Sequence, residues 1–326
     1  MVIEKIGGYM LKRIQEVRNE IKDNIQTVIV GKDEVIDMLL VSMFCSGHVL
    51  LEDVPGLGKT VMAKALSRSI DADFNRIQFT PDLLPSDITG INYFNQKSGE
   101  FEFKRGPLMT QILLADEINR ATPRTQASLL EVMSEKQVTI DGESHQMKTP
   151  FFVIATQNPV EQSGTFPLPE AQLDRFFMKL TLGYPNFNEE ESILKRFKTK
   201  NPLDTLNAVI KSSEIESLMT VFEAIEVSDV MIDYIVRLTH RTRQHESIEL
   251  GISPRGSMSL YQGSQVYAAL EGRSYVTPDD VQALIKPIFR HRLILDGRAQ
   301  MTGVTADDVI NEILDSEKTP VENFKN

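Results

Sequence analysis

The sequence predicts an α/β fold: a parallel sheet covered by helices on both faces and carrying β-hairpin insertions, followed by a smaller all-α domain. Two observations carry that expectation. Short apolar runs at His48–Leu51, Ile112–Ala115, Phe151–Ala155 and Phe177–Leu182 have strand length and are separated by helix-length segments. Strands that read as continuous apolar runs are buried on both faces, as they are in parallel sheets. Beyond Gly183-Tyr184-Pro185-Asn186 the strand signal stops and apolar residues recur at helical spacing. The first domain is therefore set at residues 1–184 and the second at 185–326.

In chain order, Leu11, Ile14, Val17, Ile21 and Ile25 place a helix between Tyr9 and Val28. A second helix is expected from Lys32 to Phe44, ahead of the first strand. Ile91–Lys104 reads as a hairpin around Lys97-Ser98-Gly99, with Phe101 and Phe103 alternating with Glu102 and Lys104. Val138–Met147 reads as another, turning at Asp141-Gly142, a pair that accepts the positive φ angles of a type I′ turn. In the second domain Val230, Tyr234, Ile235 and Leu238 mark one helix. Thr277-Pro278-Asp279-Asp280 opens another, with an N-cap, a proline at the first helical position and an acid in the first turn.

A chain of 326 residues with 41% hydrophobic and 25% charged residues is of ordinary globular composition and long enough for two cores. Its formal charge of −11 argues against a general nucleic-acid or anionic-membrane surface, because such surfaces need clustered Lys and Arg. Cys45 is the single cysteine, so an internal disulfide is excluded and a cytoplasmic setting fits. It is expected to be a small buried hydrophobe. No run approaches the ~20 apolar residues of a membrane span. The N-terminus, with Glu4 and Lys5, lacks an apolar region of signal-peptide length, so no integral membrane association is expected.

The chemistry concentrates in two places. The first strand runs into Asp53-Val54-Pro55-Gly56-Leu57-Gly58-Lys59-Thr60, and a helical pattern begins at Val61. Strand, glycine-rich loop and helix in that order form a phosphate-binding loop. Gly56 and Gly58 let backbone N–H groups curl around an anion, Lys59 can bridge the outer phosphates, and Thr60 can place its hydroxyl on Mg²⁺. The helix N-terminus adds a favourable dipole. The pattern's first glycine falls on Asp53, one of the few residues that tolerate left-handed or turn geometry. The second place is Asp116-Glu117, closing the apolar strand Ile112–Ala115. Asp116 is expected in the Mg²⁺ shell, through water, while Glu117 orients or deprotonates an attacking water. ATP with Mg²⁺ is the expected ligand, and an ATPase the expected enzyme.

Four segments resemble the MoxR branch of the AAA+ ATPases: Leu50 to Thr60, Leu114 to Ala121, Ala155-Thr156-Gln157-Asn158-Pro159, and Leu168 to Phe176. The similarity spans about residues 28–295. It implies an AAA+ nucleotide domain followed by a helical lid. It also implies a ring, expected to be a hexamer, with chaperone-like remodelling of a protein partner, such as one carrying a von Willebrand factor A domain. By the same resemblance Asn158 matches the sensor-1 position and Arg175 the finger supplied to a neighbouring subunit's nucleotide. Arg255 matches the sensor-2 arginine, in cis or in trans. Val30 and Gly31 match the segment that contacts adenine, the two hairpins match pore-facing insertions, and Gln78 is placed to hold Glu117. Two alternatives stay open: a metal-chelatase-like or nucleic-acid motor subunit, and a non-hydrolysing scaffold gated by nucleotide. His240 and His245 are five residues apart, off one helical face, and no structural metal is expected.

Overall fold

A computed structural model of the chain describes residues 2–159, 164–196, 198 and 201–321, with side chains described from Gly8 onward. Its strands in order are β1 (Val49–Glu52), β2 (Phe74–Gln78), β3 (Gly90–Asn95), β4 (Glu100–Arg105), β5 (Ile112–Asp116), β6 (Gln137–Ile140), β7 (Glu143–Gln146), β8 (Phe152–Gln157), β9 (Met178–Leu180), β10 (Ile248–Leu250) and β11 (Ile294–Leu295). The chain divides into two compact units: Asn19–Phe176 with Leu180–Ser217, and Met1–Arg18 with Phe177–Lys179 and Leu218–Asn326.

The larger unit is built on a parallel sheet in which β2, β5, β8 and β1 lie side by side in that order. β2 pairs with β5, β5 with β8 and β8 with β1, all parallel. Alternation along β5 explains why the run reads as apolar throughout. Leu113 and Ala115 pack into a cluster with Leu129 and Leu130 of the helix Pro123–Glu135, while Leu114, equally buried, faces the other side. Each of these leucines contributes roughly 1.5–3 kcal/mol on full burial. The helix Lys59–Ser69 covers the sheet with Met62, Ala63 and Leu66. β2 is a strand that the apolar-run criterion passes over, because Asn75, Arg76 and Gln78 interrupt it.

Both expected hairpins are present. β3 and β4 pair antiparallel with Phe94 opposite Phe101, whose rings meet edge to face at 5.4 Å. β6 and β7 turn through Asp141 (φ 49°) and Gly142 (φ 88°), as a type I′ turn requires. The hairpins brace each other: Phe103 stacks on His145 at 4.5 Å, and Asn92 donates to Asp141 at 2.8 Å.

The smaller unit is mainly helical, with helices Asp229–Gln244, Pro254–Leu270, Pro278–Phe289 and Ala306–Ser316. The buried stripe of the first is Met231, Tyr234, Ile235 and Leu238; Val230, expected on that stripe, is exposed. Thr277 is the expected N-cap and forms a capping box with Asp280, and buried Asp280 also accepts a guanidinium fork from Arg273, one arm at 2.7 Å. Two strands appear where none was expected: β10 and β11 pair antiparallel as a short ribbon, too brief and too polar at Glu249 to register as an apolar run. Arg292 of the basic cluster 290–292 is buried and donates to the Phe177 carbonyl at 3.1 Å. Cys45 is half-buried instead of fully buried, although desolvation still pushes its thiol pKa up. Among the described residues no helix is long and apolar enough to cross a membrane.

Candidate active site

The phosphate loop joins β1 to the helix Lys59–Ser69. Gly56 and Gly58 both adopt φ 88°, and Gly58 is the helix N-cap in the left-handed region. A Cβ at either position would meet no atom within 4 Å, so backbone conformation and not crowding demands glycine there. Asp53 corrects an expectation. It is absent from the positive-φ residues, so the loop makes no use of a left-handed tolerance. Its buried carboxylate instead accepts from the N–H groups of Leu182 at 2.6 Å and Gly183 at 3.1 Å. The aspartate thus ties the loop to the segment that follows β9. Its own carbonyl accepts from Lys59 Nζ at 2.8 Å. Burial pulls the Lys59 pKa below the usual lysine value, against the opposite pull of Asp53, Asp116 and Glu117.

Across the loop lie the ends of β5 and β2. Asp116 closes β5, and Glu117 follows with φ 56° and ψ 49°, left-handed geometry that costs a non-glycine residue of order 1–3 kcal/mol. The backbone thereby turns sharply out of the strand and the two acid side chains face one cavity. Thr156, fully buried on β8, binds both residues: its hydroxyl donates to Asp116 Oδ1 at 2.6 Å and accepts the Glu117 N–H at 2.9 Å. Gln78 donates to Glu117 Oε2 at 2.7 Å, the contact foreseen for it, and Arg120 lies 3.3 Å from the same oxygen. Arg76 donates to Asp116 Oδ2 from Nε at 3.1 Å and from Nη2 at 2.6 Å.

Two adjoining clefts share Gly56 and Gly58. One, of about 390 Å³, is bounded by Pro55, Lys59 and Thr60 on the loop side and by Arg76, Gln78, Asp116, Glu117 and Asn158 opposite. The other, of about 260 Å³, is chiefly apolar, with Val28, Ile29, Val30, Leu57, Val61 and Ile193 in its wall. A polar cleft continuous with an apolar one suits a phosphate chain and a flat base. Gly31 has φ 67°, and a Cβ there would collide with the Glu189 carboxylate. Val54 is half-buried and lines neither cleft.

The donor set fits a metal carried by a nucleotide. Among the described residues no group of three or more His, Cys, Asp or Glu forms a metal cluster. Thr60 and Asp116 do share the polar cleft, and a Mg²⁺ ion that keeps phosphate and water ligands needs only one or two such protein oxygens.

Two further candidate residues are the arginines Arg175 and Arg255. Arg175 is exposed and donates to the Leu130 carbonyl at 2.8 Å. Arg255 is exposed in the first turn of the helix Pro254–Leu270, in the smaller unit. Sequence reasoning missed Thr156 and Arg76. Reading 74–78 as a strand would have found Arg76, since it alternates with buried Ile77 and shares a face with Gln78.

Residues 48–178 match the family described as ATPase family associated with various cellular activities (AAA), and residues 240–313 match the AAA lid domain. The uncharacterized protein YeaC of Bacillus subtilis strain 168 is 50% identical over 92% of this chain and 94% of its own length. Chaperone MoxR1 of Mycobacterium tuberculosis is 39% identical over 91% of this chain and 80% of its own. A crystal structure from Cytophaga hutchinsonii, of a protein assigned as an ATPase, superposes with a TM-score of 0.91 at 36% identity, covering 98% of this chain and all of that one.

Proposed function

The chain belongs to the MoxR-type AAA+ ATPases, and on that premise we propose that it hydrolyses ATP with Mg²⁺ in a cytoplasmic ring, expected to be a hexamer, to remodel a protein partner. The observation that carries this reading is the polar cleft, where Lys59 and Thr60 of the loop face Asp116 and Glu117 of β5. Loop N–H groups and Lys59 hold the outer phosphates, and the apolar cleft beside Val30, Leu57 and Val61 takes the base. Thr60 and, through water, Asp116 would hold the metal, which when bound would supply neutralisation of charge on the phosphate oxygens. Glu117 aligns a water with the terminal phosphorus and takes its proton, and Asn158 steadies that water or the phosphate.

Arg175 acts on a neighbouring subunit's nucleotide. Its exposure, and its place outside its own chain's clefts, support that direction. A guanidinium suits the task, being planar, always charged and fork-shaped. Arg255 contributes a second arginine from the lid, which we place at 185–326 against a nucleotide domain at 1–184. The partner is a protein, with a von Willebrand factor A domain protein as the first candidate to test.

Glu117→Gln tests the reading directly. Nucleotide binding should persist while turnover falls by about 10²–10⁴-fold, the usual worth of a positioned general base. Turnover unchanged in that variant removes Glu117 from the role, and binding without turnover in the wild type points to the nucleotide-gated scaffold.

A further inference from the structure

Both oxygens of Asp116 are engaged by side chains. Thr156 occupies Oδ1, and Arg76 places two guanidinium N–H groups on Oδ2. A carboxylate oxygen has two lone-pair directions, so the Arg76 fork fills Oδ2. The same Nη2 that reaches Asp116 also donates to Gln78 Oε1 at 2.7 Å. That contact fixes which end of the Gln78 amide points at Arg76, and therefore sends the NH₂ end to Glu117 at 2.7 Å. Arg76 and Gln78 sit on one face of β2, beside the strand that delivers the acids, with Gln78 in register with Asp116.

From this geometry we propose that Arg76 is a positioning residue that couples the two acids. It competes with a metal's water shell for Asp116 and, through Gln78, holds Glu117 for as long as it stays there. When Asp116 is given up to the metal shell, Arg76 withdraws, the Gln78 amide loses the partner that orients it, and Glu117 is released toward the terminal phosphate. The ordering this imposes is specific: Glu117 becomes available only where Asp116 is already committed, so water is not activated in a site without its metal. The inference rests on the proposed ATP site and adds to it a reason for Arg76, which lines the phosphate cleft without belonging to the loop. By reciprocity, whatever frees Glu117 must also ease metal binding at Asp116.

The test reads metal binding and not turnover. A fluorescent, non-hydrolysable ATP analogue is held at a fixed, subsaturating concentration and Mg²⁺ is titrated, for wild type, Arg76→Met, Arg76→Lys, Gln78→Ala and the Arg76→Met/Gln78→Ala double variant. Arg76→Met should tighten the Mg²⁺ midpoint by about fivefold, the worth of a partly exposed ion pair. Arg76→Lys, which keeps the charge but not the fork, should fall between. Gln78→Ala should tighten Mg²⁺ in the wild-type background and leave it unchanged in Arg76→Met. The latch is overturned if the Arg76→Met midpoint is unchanged or weaker while the analogue still binds, or if the Gln78→Ala effect is equal in both backgrounds. A wild type that shows no Mg²⁺-dependent analogue binding overturns the ATP-site reading itself.

Discussion

Replacing Asp53 by glycine restores the residue usual at the start of a phosphate loop, and the direction of the effect separates two accounts of that position. If Asp53 were strained in left-handed geometry, glycine would relieve the strain and stabilise the protein. The geometry here requires the opposite. The carboxylate is buried and accepts from the backbone N–H groups of Leu182 and Gly183. Hydrogen bonds to a charged group contribute about 1.5–3 kcal/mol each, with the half-buried Gly183 at the low end. Glycine also carries roughly 0.5–1 kcal/mol of extra backbone entropy in the unfolded chain. The sum is a loss of about 3.5–5.5 kcal/mol, which lowers a urea midpoint by roughly 1–2 M at an m-value of about 3 kcal/mol/M. The protein has no tryptophan, so far-UV circular dichroism is the suitable probe. Amide exchange should accelerate at Leu182 and Gly183, and ATP affinity should fall because Gly183 and Pro185 border the base cleft. Asp53→Asn, which keeps one acceptor oxygen, should lose about half as much. An Asp53→Gly protein as stable as wild type refutes the reasoning.

Two further outcomes follow from buried groups near the sheet. Thr156→Val removes the hydroxyl that joins Asp116 to Glu117 and leaves the Glu117 N–H without its acceptor; kcat should fall about tenfold, for roughly 1–2 kcal/mol of lost positioning, with KM little changed. A rise in KM at constant kcat would mean that Thr156 serves binding instead. His48 is fully enclosed, its Nδ1 accepting from the Val153 N–H at 3.1 Å and its Nε2 lying 3.0 Å from the Met133 carbonyl, and burial lowers its pKa from 6.5 to about 4. The folded state therefore binds fewer protons than the unfolded chain between those values, so stability falls as pH drops from 6.5 toward 4, by about 3 kcal/mol from this residue. His48→Leu should flatten that part of the stability profile; an unchanged profile would contradict the buried-neutral assignment.

Much of the site was legible because its chemistry is local in sequence. The loop from Asp53 to Thr60 and the acids Asp116-Glu117 each lie within a few consecutive residues next to an apolar strand, so composition and order suffice. Thr156 and Arg76 were not legible in the same way. Each acts across neighbouring strands, Thr156 from β8 and Arg76 from β2 onto β5, and parallel strands adjacent in space are far apart in the chain. Asp53 misled for a related reason: its identity suggests a local backbone role, whereas its partners lie 129 and 130 residues onward. β10 and β11 escaped because each is too short to show a period.

The central proposal is that ATP is hydrolysed at a site completed by the neighbouring subunit, and mixing two inactive variants tests it most directly. Arg175→Ala keeps Glu117 but lacks the finger, at an expected cost of about 10³-fold or more in kcat. Glu117→Gln keeps the finger but lacks the base. Combined in one assembly, an Arg175→Ala subunit beside a Glu117→Gln subunit regains a complete site, so ATPase activity should rise well above that of either protein alone. A mixture that assembles and binds ATP yet stays as inactive as its components would contradict the proposal.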